Sequence, residues 1–501
     1  MEGLNNMIAH KTDKINKQSS VECLVNIDGE LERVLSVSAF ADVTTVELYD
    51  KEARINGEVL VSVIYKTVDD QINTVTTNCT FQDTIKSDVI KPEQKAYACA
   101  KLLGITPTTV EGNTIKMLAT VETVLDLVEN NKFETYTTTN EAICLKTDER
   151  QINKFCGLNC ADFNVESNTV VTENIKKVLS LDSSAIVTNT VVGEGYVSVN
   201  GMVCTYVVVL TEEDKFKPYQ ICTEFKEEIE LAELSSQDVV EVFVKVRKEN
   251  VKVSLEENEK QMRVFVNTPL KACVRGYKSE MMEIVEDIYS VKNELELERA
   301  SYENINFYNS KYFESKIEGN LVLSDDEARI DKLLANSAPC LTVTNSYLLD
   351  GQVFVEGIIN TNVVYLNDED NKLHSVEMEI PFKVSEKVNL EKENINVDIT
   401  AMLCDCDCMA KRGREIFFDC KLKVFAQFNE VTKFEVLSNV KEGRVLPVND
   451  SCIQIYFAKA GNTVWEIAKE LKISEQQLLM QNPDLISPLE KDEKVVVYYN
   501  L

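Results

Sequence analysis

Apolar residues that alternate with polar ones recur through most of the chain. Val59, Val61 and Val63 are separated by single residues, and further β-branched runs occur at 207–209 and 363–364. A period of two is typical of strands with one buried face, and β-branched side chains fit the pleated surface of a sheet. A glycine precedes each run, where a missing Cβ suits a turn or a bulge. The pattern therefore predicts a mainly β protein.

This strand pattern repeats with the period of a whole domain. Residues 34–65 and 178–209 align without a gap, and residues 351–382 form a looser third copy. Each copy holds a glycine (Gly57, Gly201, Gly357), a later phenylalanine (Phe81, Phe225, Phe382) and a polar insert (68–70, 212–214, 367–370). Polar inserts between apolar runs indicate hairpin tips. A domain-sized period predicts three sandwich-like β units rather than solenoid turns.

Near the C-terminus the apolar period changes to that of a helix. Val464, Ile467, Ala468 and Leu471 recur at helical spacing, which predicts a helix with one apolar face. The only tryptophan of the chain, Trp465, lies in the first turn of this helix. Its ring either packs in a small core or contacts a partner, and the sequence leaves both possibilities open.

Polar residues mark where the C-terminal elements begin and end. Asn462 or Thr463 can cap the first helix, because a short polar side chain satisfies free N–H groups. Ser474 begins a second helix, and Asn482-Pro483 ends it because proline cannot continue a helix. With Tyr456 opening one strand and residues 495–497 forming another, the prediction is a small βααβ module.

Composition narrows the class of protein. The chain has 501 residues and a formal net charge of −30, so we expect roughly three or four domains and no nucleic-acid surface, which would need clustered lysine and arginine. No apolar run approaches the length of a membrane span, and the N-terminus lacks the features of a secretory signal. We therefore expect a cytoplasmic protein with no membrane insertion.

Fifteen cysteines are expected to be reduced in that compartment. Six of them lie singly in apolar strands and are expected to be small core residues: Cys79, Cys99, Cys144, Cys204, Cys273 and Cys420. Cys404, Cys406 and Cys408 alternate with aspartates, so an extended strand would place their thiols on one face. They form either an inward strand face or, together with Cys420, a zinc site, although their spacing is wide for one ion.

The sequence offers little for catalysis. His10, in the N-terminal tail, and His374, near a hairpin tip, are the only histidines, so a Ser-His-Asp or Cys-His device lacks a credible base. Phosphate-binding loops, dinucleotide-binding turns and zinc-protease helices are missing from the sequence. We expect a protein that is not an enzyme and has no cofactor, no metal and no catalytic residue.

The C-terminal residues resemble the LysM family. The resemblance rests on Tyr456, the run 461–465, Ile467-Ala468, Ile473-Ser474 and Asn482-Pro483. LysM modules bind N-acetylglucosamine polymers between the starts of their helices, and some bind proteins instead. The resemblance implies partner-binding residues, which are Gly461, Asn462, Thr463, Val464, Trp465, Ile467, Ile473 and Asn482.

The repeated unit resembles the SPOCS domain of bacterial spore-coat proteins. The resemblance rests on the glycine strand, the acidic hairpin tip and the later phenylalanine. Three such repeats before one LysM module resemble the architecture of SipL-like spore-coat morphogenetic proteins. The implied division is 1–20 as a tail, 21–145, 165–280 and 331–445 as SPOCS repeats, 281–330 as a charged, partly helical linker, and 452–499 as the LysM module.

This resemblance implies a structural adaptor of endospore coat assembly at the forespore surface, inside the mother-cell cytoplasm. Its LysM module would bind the coat-basement ATPase, stage IV sporulation protein A, and other coat proteins are possible partners. Exposed thiols of 404–408 would cross-link in an oxidising coat. The alternative is a carbohydrate-binding protein, whose LysM module binds peptidoglycan while the β repeats act as spacers.

Overall fold

A computed structural model describes residues 2–213, 215–258, 261–325, 327–336, 339–367, 372–390, 392, 394–447 and 453–499. Strands make up 77% of the chain and helices 4%, so the prediction of a mainly β protein is confirmed. The predicted hairpin tip at 68–70 is a turn between two paired strands. The other two tips lie partly outside the described residues, at Asp214 and at 368–370.

Residues 2–137, called unit 1 from here on, form two antiparallel sheets. The strands are β1 (Glu2–Lys11), β2 (Ile15–Asn26), β3 (Leu31–Tyr49), β4 (Glu52–Thr67), β5 (Ile72–Lys86), β6 (Lys95–Glu111) and β7 (Thr114–Thr137). In one sheet β4 lies between β3 and β5. In the other, β7 pairs with β6 on one side and with β1 and β2, end to end, on the other.

Two further groups of strands pair in the same order. Unit 2 (residues 143–290) contains β8 (Ile143–Val171), β9 (Ile175–Val192), β10 (Tyr196–Thr211), β11 (Phe216–Glu230), β12 (Val239–Val246), β13 (Lys252–Asn258) and β14 (Gln261–Ser290). Unit 3 (residues 293–445) contains β15 (Asn293–Val322), β16 (Ile330–Asn336), β17 (Cys340–Leu349), β18 (Gln352–Asn367), β19 (Leu373–Lys387), β20 (Asn396–Lys411) and β21 (Glu415–Val445). The central strands are β10 and β18, and the long pairs are β8 with β14 and β15 with β21.

The two sheets of each unit enclose an apolar core. In unit 1, Val59, Val61 and Val63 of β4 are fully buried in one cluster with Ile115 and Met117 of β7. The residues between the valines are partly exposed, as the alternation predicts. Each buried valine contributes about 1.5–3 kcal/mol relative to an exposed one, so this alternation fixes which face of β4 turns inward.

Each repeated glycine lies directly across from the repeated phenylalanine. The cross-strand pairs are Gly57 with Phe81, Gly201 with Phe225 and Gly357 with Phe382. A Cβ on Gly201 would lie 2.3 Å from Cζ of Phe225 and 2.4 Å from the carbonyl oxygen of Ile186. Glycine therefore leaves the space into which the phenylalanine ring packs, as in other strands where an aromatic residue covers a glycine. The two sequence markers of the repeat describe one packing contact.

Beyond the sandwiches, the long strands of all three units pack together in a stem. The stem consists of residues 2–11 with 128–137, 143–155 with 277–290, and 293–307 with 428–445. Ile8 and Phe133 of unit 1, Ile152 and Ile284 of unit 2, and Phe434 of unit 3 share one buried cluster. Because a core is shared in this way, the stem strands of the three units are packed as one body.

A buried group of charges joins the units where the stem meets the sandwiches. The guanidinium of Arg275 is fully buried, with Nη1 3.1 Å from Glu241 Oε2 and 3.3 Å from Asp126 Oδ2. Lys11 Nζ lies 2.6 Å from Glu241 Oε1 and 3.8 Å from Asp398 Oδ2 of unit 3. Burial alone would raise the pKa of Glu241, but Lys11 and Arg275 outweigh it and lower this pKa.

The predicted tail at 1–20 and the partly helical linker at 281–330 are wrong. Residues 2–11 form β1, in which Ile8 and Ala9 are buried against the rest of the stem. The supposed linker contains the end of β14 and most of β15. Helix-forming glutamates suggested a helix, but in 294–298 they alternate with Leu295 and Leu297, which pack inward. The period of two decides the structure over the propensity of single residues.

Two pairs of cysteines form disulfides, which corrects the expectation of single reduced thiols at Cys204 and Cys273. Cys204 of β10 is bonded to Cys222 of β11, and Cys160 of β8 is bonded to Cys273 of β14. Each pair occupies directly opposite positions on adjacent strands. The members of the second pair are separated by 113 residues, so the sequence could not show that they meet.

Candidate functional site

The C-terminal module (residues 453–499) has the predicted order of strand, helix, helix and strand. Its elements are β22 (Ile453–Ala458), α1 (Val464–Leu471), α2 (Glu475–Gln481) and β23 (Glu493–Tyr498), and the two strands pair antiparallel. Of the predicted range 452–499, Cys452 lies outside the described residues. A match in the order of elements leaves the LysM assignment itself as a proposal.

Thr463, rather than Asn462, caps α1. The Thr463 hydroxyl accepts a hydrogen bond from the backbone N–H of Glu466 at 3.2 Å, and the Glu466 carboxylate accepts one from the Thr463 N–H at 3.0 Å. This reciprocal pair is a capping box. Ser474 caps α2 by accepting from the N–H of Gln477 at 3.1 Å, as predicted. Asn462 instead accepts a hydrogen bond from the N–H of Lys459 at 2.8 Å, which closes the turn before α1.

Trp465 packs between the module and the stem. Its side chain is 7% exposed, and its ring meets the ring of Tyr289 edge to face at 4.8 Å between centroids. Indole Nε1 donates a hydrogen bond to Asp287 Oδ2 at 2.8 Å. Tyr289 and Asp287 both belong to the end of β14, so the tryptophan binds the body of the same chain. The possibility that it packs in a core is the one the structure shows.

Lys469 and Asp287 form an ion pair across the same junction. Lys469 Nζ lies 2.6 Å from Asp287 Oδ2, on the same carboxylate that accepts from Trp465. Burial by itself would raise the pKa of Asp287, but the hydrogen bonds from Lys469 and Trp465 outweigh it and lower that pKa. The Asp287 carboxylate is therefore ionised at neutral pH when the module is docked on the stem.

The residues implied by the LysM resemblance divide into two groups. Four are buried: Val464, Trp465, Ile467 and Ile473. The backbone oxygen of Ile473 accepts a hydrogen bond from the Tyr289 hydroxyl at 2.7 Å, so this position also touches the stem. Four are exposed or partly so: Gly461, Asn462, Thr463 and Asn482. A groove at the helix starts can thus use only the second group for direct contact.

Asn482 serves the module's own sheet. Its side-chain amide donates to the backbone oxygen of Val496 at 2.8 Å and accepts from the N–H of Val496 at 3.0 Å. Gln481 makes the same kind of pair with Tyr498, at 3.0 and 2.8 Å. These two amides occupy the outer edge of β23 as a neighbouring strand would. The role of Asn482 shown by the structure is to close that edge.

Exposed apolar side chains of the module lie on β22, on α2 and in the loop at Ile486, which is 65% exposed. Phe457 is 71% exposed, Ile453 54% and Ile455 48%, and all three point to one face of β22. Met480 of α2 is also 71% exposed. The sequence analysis did not predict the exposed face of β22, although Ile453, Ile455 and Phe457 show the period of two from which it could have been found.

Cys404, Cys406 and Cys408 do not share one face of β20. The pairing of β20 with β21 shifts register between Cys404 and Asp407, and Asp405 has a φ of 52°. This bulge turns Cys404 into the core of unit 2, whereas Cys406 and Cys408 pack against the core of unit 3. Across the described ranges, no group of three or more histidine, cysteine, aspartate or glutamate side chains is arranged to hold a metal ion.

A cavity of about 870 Å³ lies where the three units meet. It is lined by strands of every unit, including residues 34–40, 181–185 and 401–403. Its two lysines are already paired: Lys245 with Asp42 at 2.9 Å, and Lys248 with Asp182. Neither lysine is therefore available to bind an anionic ligand in this cavity.

Across the described residues, no helix has the length and the apolar character needed to span a bilayer. In comparisons with known proteins, no curated protein and no solved structure matches the chain. Residues 329–411 match a family model described as the SPOCS domain of SipL. The matched residues cover β16 to β20 of unit 3. This match supports a SipL-like, sporulation-related coat protein.

Proposed function

We propose that the chain is a non-catalytic adaptor of endospore coat assembly. Units 1 to 3 are three SPOCS repeats, and the C-terminal module is a LysM domain that binds the coat-basement ATPase, stage IV sporulation protein A. The adaptor acts at the forespore surface in the mother-cell cytoplasm. The observation that carries the proposal is the SPOCS match at 329–411, because it falls in a unit whose strand order recurs twice.

The way the module is attached supports an adaptor. Trp465, Lys469 and the backbone of Ile473 all contact the end of β14, so the module has a fixed position at the end of the stem. The buried contact leaves β22 facing outward, with Phe457 71% exposed. A rigid body that presents one small module at its end is suited to holding a partner at a set distance from other coat proteins.

A protein ligand is favoured over a glycan by the same contacts. An aromatic ring that stacks on a sugar must be accessible, and Trp465 is 7% exposed. Glycan binding through the loops at Gly461 and Asn482 is the competing possibility, and it would make the protein a carbohydrate-binding module with β spacers.

The test is a pull-down from sporulating cells with the full-length chain as bait. The matched control is a chain that ends at residue 447, which keeps units 1 to 3 and loses the module. The proposal expects the ATPase with the full chain and a strong loss with the shortened one. Recovery of wall fragments in place of the ATPase would support the glycan alternative, and equal recovery of the ATPase by both baits would assign its binding to the β units.

A further inference from the structure

The outer face of the module's sheet is apolar and open. Ile453, Ile455 and Phe457 project from one side of β22, and Tyr498 of β23, 39% exposed, lies directly across from Ile453. Cross-strand partners share a face, so these four side chains form one surface. In a chain with a formal net charge of −30, a continuous apolar surface of this kind is typical of an interaction site.

The two edges of this sheet differ. The outer edge of β23 is covered by the side-chain amides of Gln481 and Asn482. In contrast, β22 has β23 as its single neighbouring strand within the described part of the chain. Its sequence, from Ile453 to Ala458, contains no charge and no proline. Proteins usually protect an edge strand with such residues, because unpaired backbone groups attract another strand.

One charge borders the apolar face. Lys494 lies across from Phe457 and is exposed, and no described carboxylate is within salt-bridge distance of it. The neighbouring Lys459 is different, since its Nζ is 3.0 Å from Asp492. A free lysine at the end of an apolar strip favours a ligand that carries a carboxylate at the matching position.

We propose that β22 is a strand-addition site for an extended segment of the partner. The segment pairs with the free edge of β22, its alternate apolar side chains extend the surface formed by Ile453, Ile455 and Phe457, and an acidic residue faces Lys494. Backbone hydrogen bonds supply affinity in this mode of recognition, and the alternate side chains supply specificity. The inference rests on the proposed function, because it names the surface by which the module binds its protein partner.

The experiment compares three full-length variants in binding to purified stage IV sporulation protein A. Phe457→Lys places a charge in the apolar surface and should weaken binding by about tenfold or more. Lys494→Glu should also weaken binding, more strongly at low salt than at high salt. Met480→Lys is the matched control, because Met480 is as exposed as Phe457 but lies on α2, and its binding should change less than about twofold.

Hydrogen exchange distinguishes strand addition from simple burial. With the ATPase bound, backbone amides within 453–458 should exchange more slowly, while those of α2 should be unchanged. Unchanged fluorescence of Trp465 in each variant verifies that the module is folded and docked. If Phe457→Lys binds like the wild type and β22 amides gain no protection, the strand-addition site is wrong and the proposed function survives. If the wild type does not bind the ATPase, both are wrong.

Discussion

Asp287 holds the C-terminal module against the stem through a single carboxylate. It accepts hydrogen bonds from the Trp465 indole at 2.8 Å and from Lys469 at 2.6 Å. Hydrogen bonds between a charged and a neutral group are stronger than neutral ones, so this residue should matter more than its partly exposed position suggests. Trp465 itself acts as an anchor within the chain.

We predict that Asp287→Ala loosens the module from the body. Losing both hydrogen bonds should lower the free energy of undocking by about 1–3 kcal/mol and expose Trp465 to water. The measurement is the emission maximum of this only tryptophan, which should move to longer wavelength. Asp287→Asn is the control, because it keeps an acceptor for the indole and loses only the charge; an equal shift in both variants would contradict the account.

Acid should have the same effect as the asparagine variant, because a protonated carboxyl also keeps an acceptor for the indole and loses the charge that pairs with Lys469. The pKa of Asp287 in the folded chain lies below its ordinary value of 3.8. A carboxylate with a lowered pKa adds stability above its unfolded pKa, and this stability is lost as pH falls through the lower folded value. Trp465 emission should therefore stay constant from neutral pH down to about pH 4 and shift below it. In Asp287→Asn this acid transition should be absent or smaller.

At the scale of elements, the glycine and the phenylalanine of each repeat lie opposite each other on two paired strands and fix how those strands pack. Sequence comparison found these residues because each unit needs the same contact, in which a ring covers a backbone that lacks a Cβ. In the third unit a β-bulge lies beside this contact: β17 shifts register between Val343 and Asn345, and Val343 is paired with Gly357. The repeat could thus be predicted from sequence because its markers carry a steric requirement.

We predict that Gly201→Ala destabilises unit 2. The new Cβ would lie 2.4 Å from the carbonyl oxygen of Ile186, and backbone cannot yield as a flexible side chain can. Overpacking of this kind costs about 1–3 kcal/mol, measurable as a lower midpoint in urea denaturation. Gly104→Ala is the matched control, because Gly104 also lies in a strand but has nothing within 4 Å of its Cβ position. Equal midpoints for the two variants would refute the steric explanation.

Other elements could not be predicted from the sequence. β1 and β15 were expected to be a tail and a linker because their residues are polar or charged. Each is stabilised by pairing with a strand more than ninety residues away, as Glu2 with Thr137 and Val322 with Glu415 illustrate. Long-range pairing leaves no local signal, and the disulfide between Cys160 and Cys273 escaped prediction for the same reason. The C-terminal module, by contrast, is local, and its caps and periodicity showed its elements in advance.

At the scale of the whole molecule, three units share a stem and one buried group of charges. Arg275 and Glu241 of unit 2 contact Asp126 and Lys11 of unit 1, and Lys11 reaches Asp398 of unit 3. Because these ion pairs link all three units, we expect the units to keep their relative positions and to unfold cooperatively. The sequence showed an excess of acidic residues but not which few of them are buried.

We predict that Arg275→Met destabilises the whole body in one transition. Removing this cation leaves Glu241 and Asp126 buried with too little positive charge, which typically costs about 3–5 kcal/mol. Arg275→Met combined with Glu241→Gln should recover part of the loss, because one uncompensated charge is removed. Arg444→Met is the control: Arg444 is 89% exposed and pairs with Glu294 at 3.4 Å, so its loss should leave the urea midpoint unchanged. A multistep transition in the Arg275 variant would contradict the cooperative arrangement.

The most direct test of the adaptor account is a titration of the full-length chain with purified stage IV sporulation protein A and, separately, with N-acetylglucosamine oligomers. Calorimetry measures binding, and Trp465 emission measures whether the module stays docked on Asp287 and Tyr289. The account predicts saturable binding of the ATPase, no heat from the oligomers, and a tryptophan signal that neither ligand changes. Saturable binding of the oligomers without binding of the ATPase would contradict it and would identify the module as a glycan-binding one.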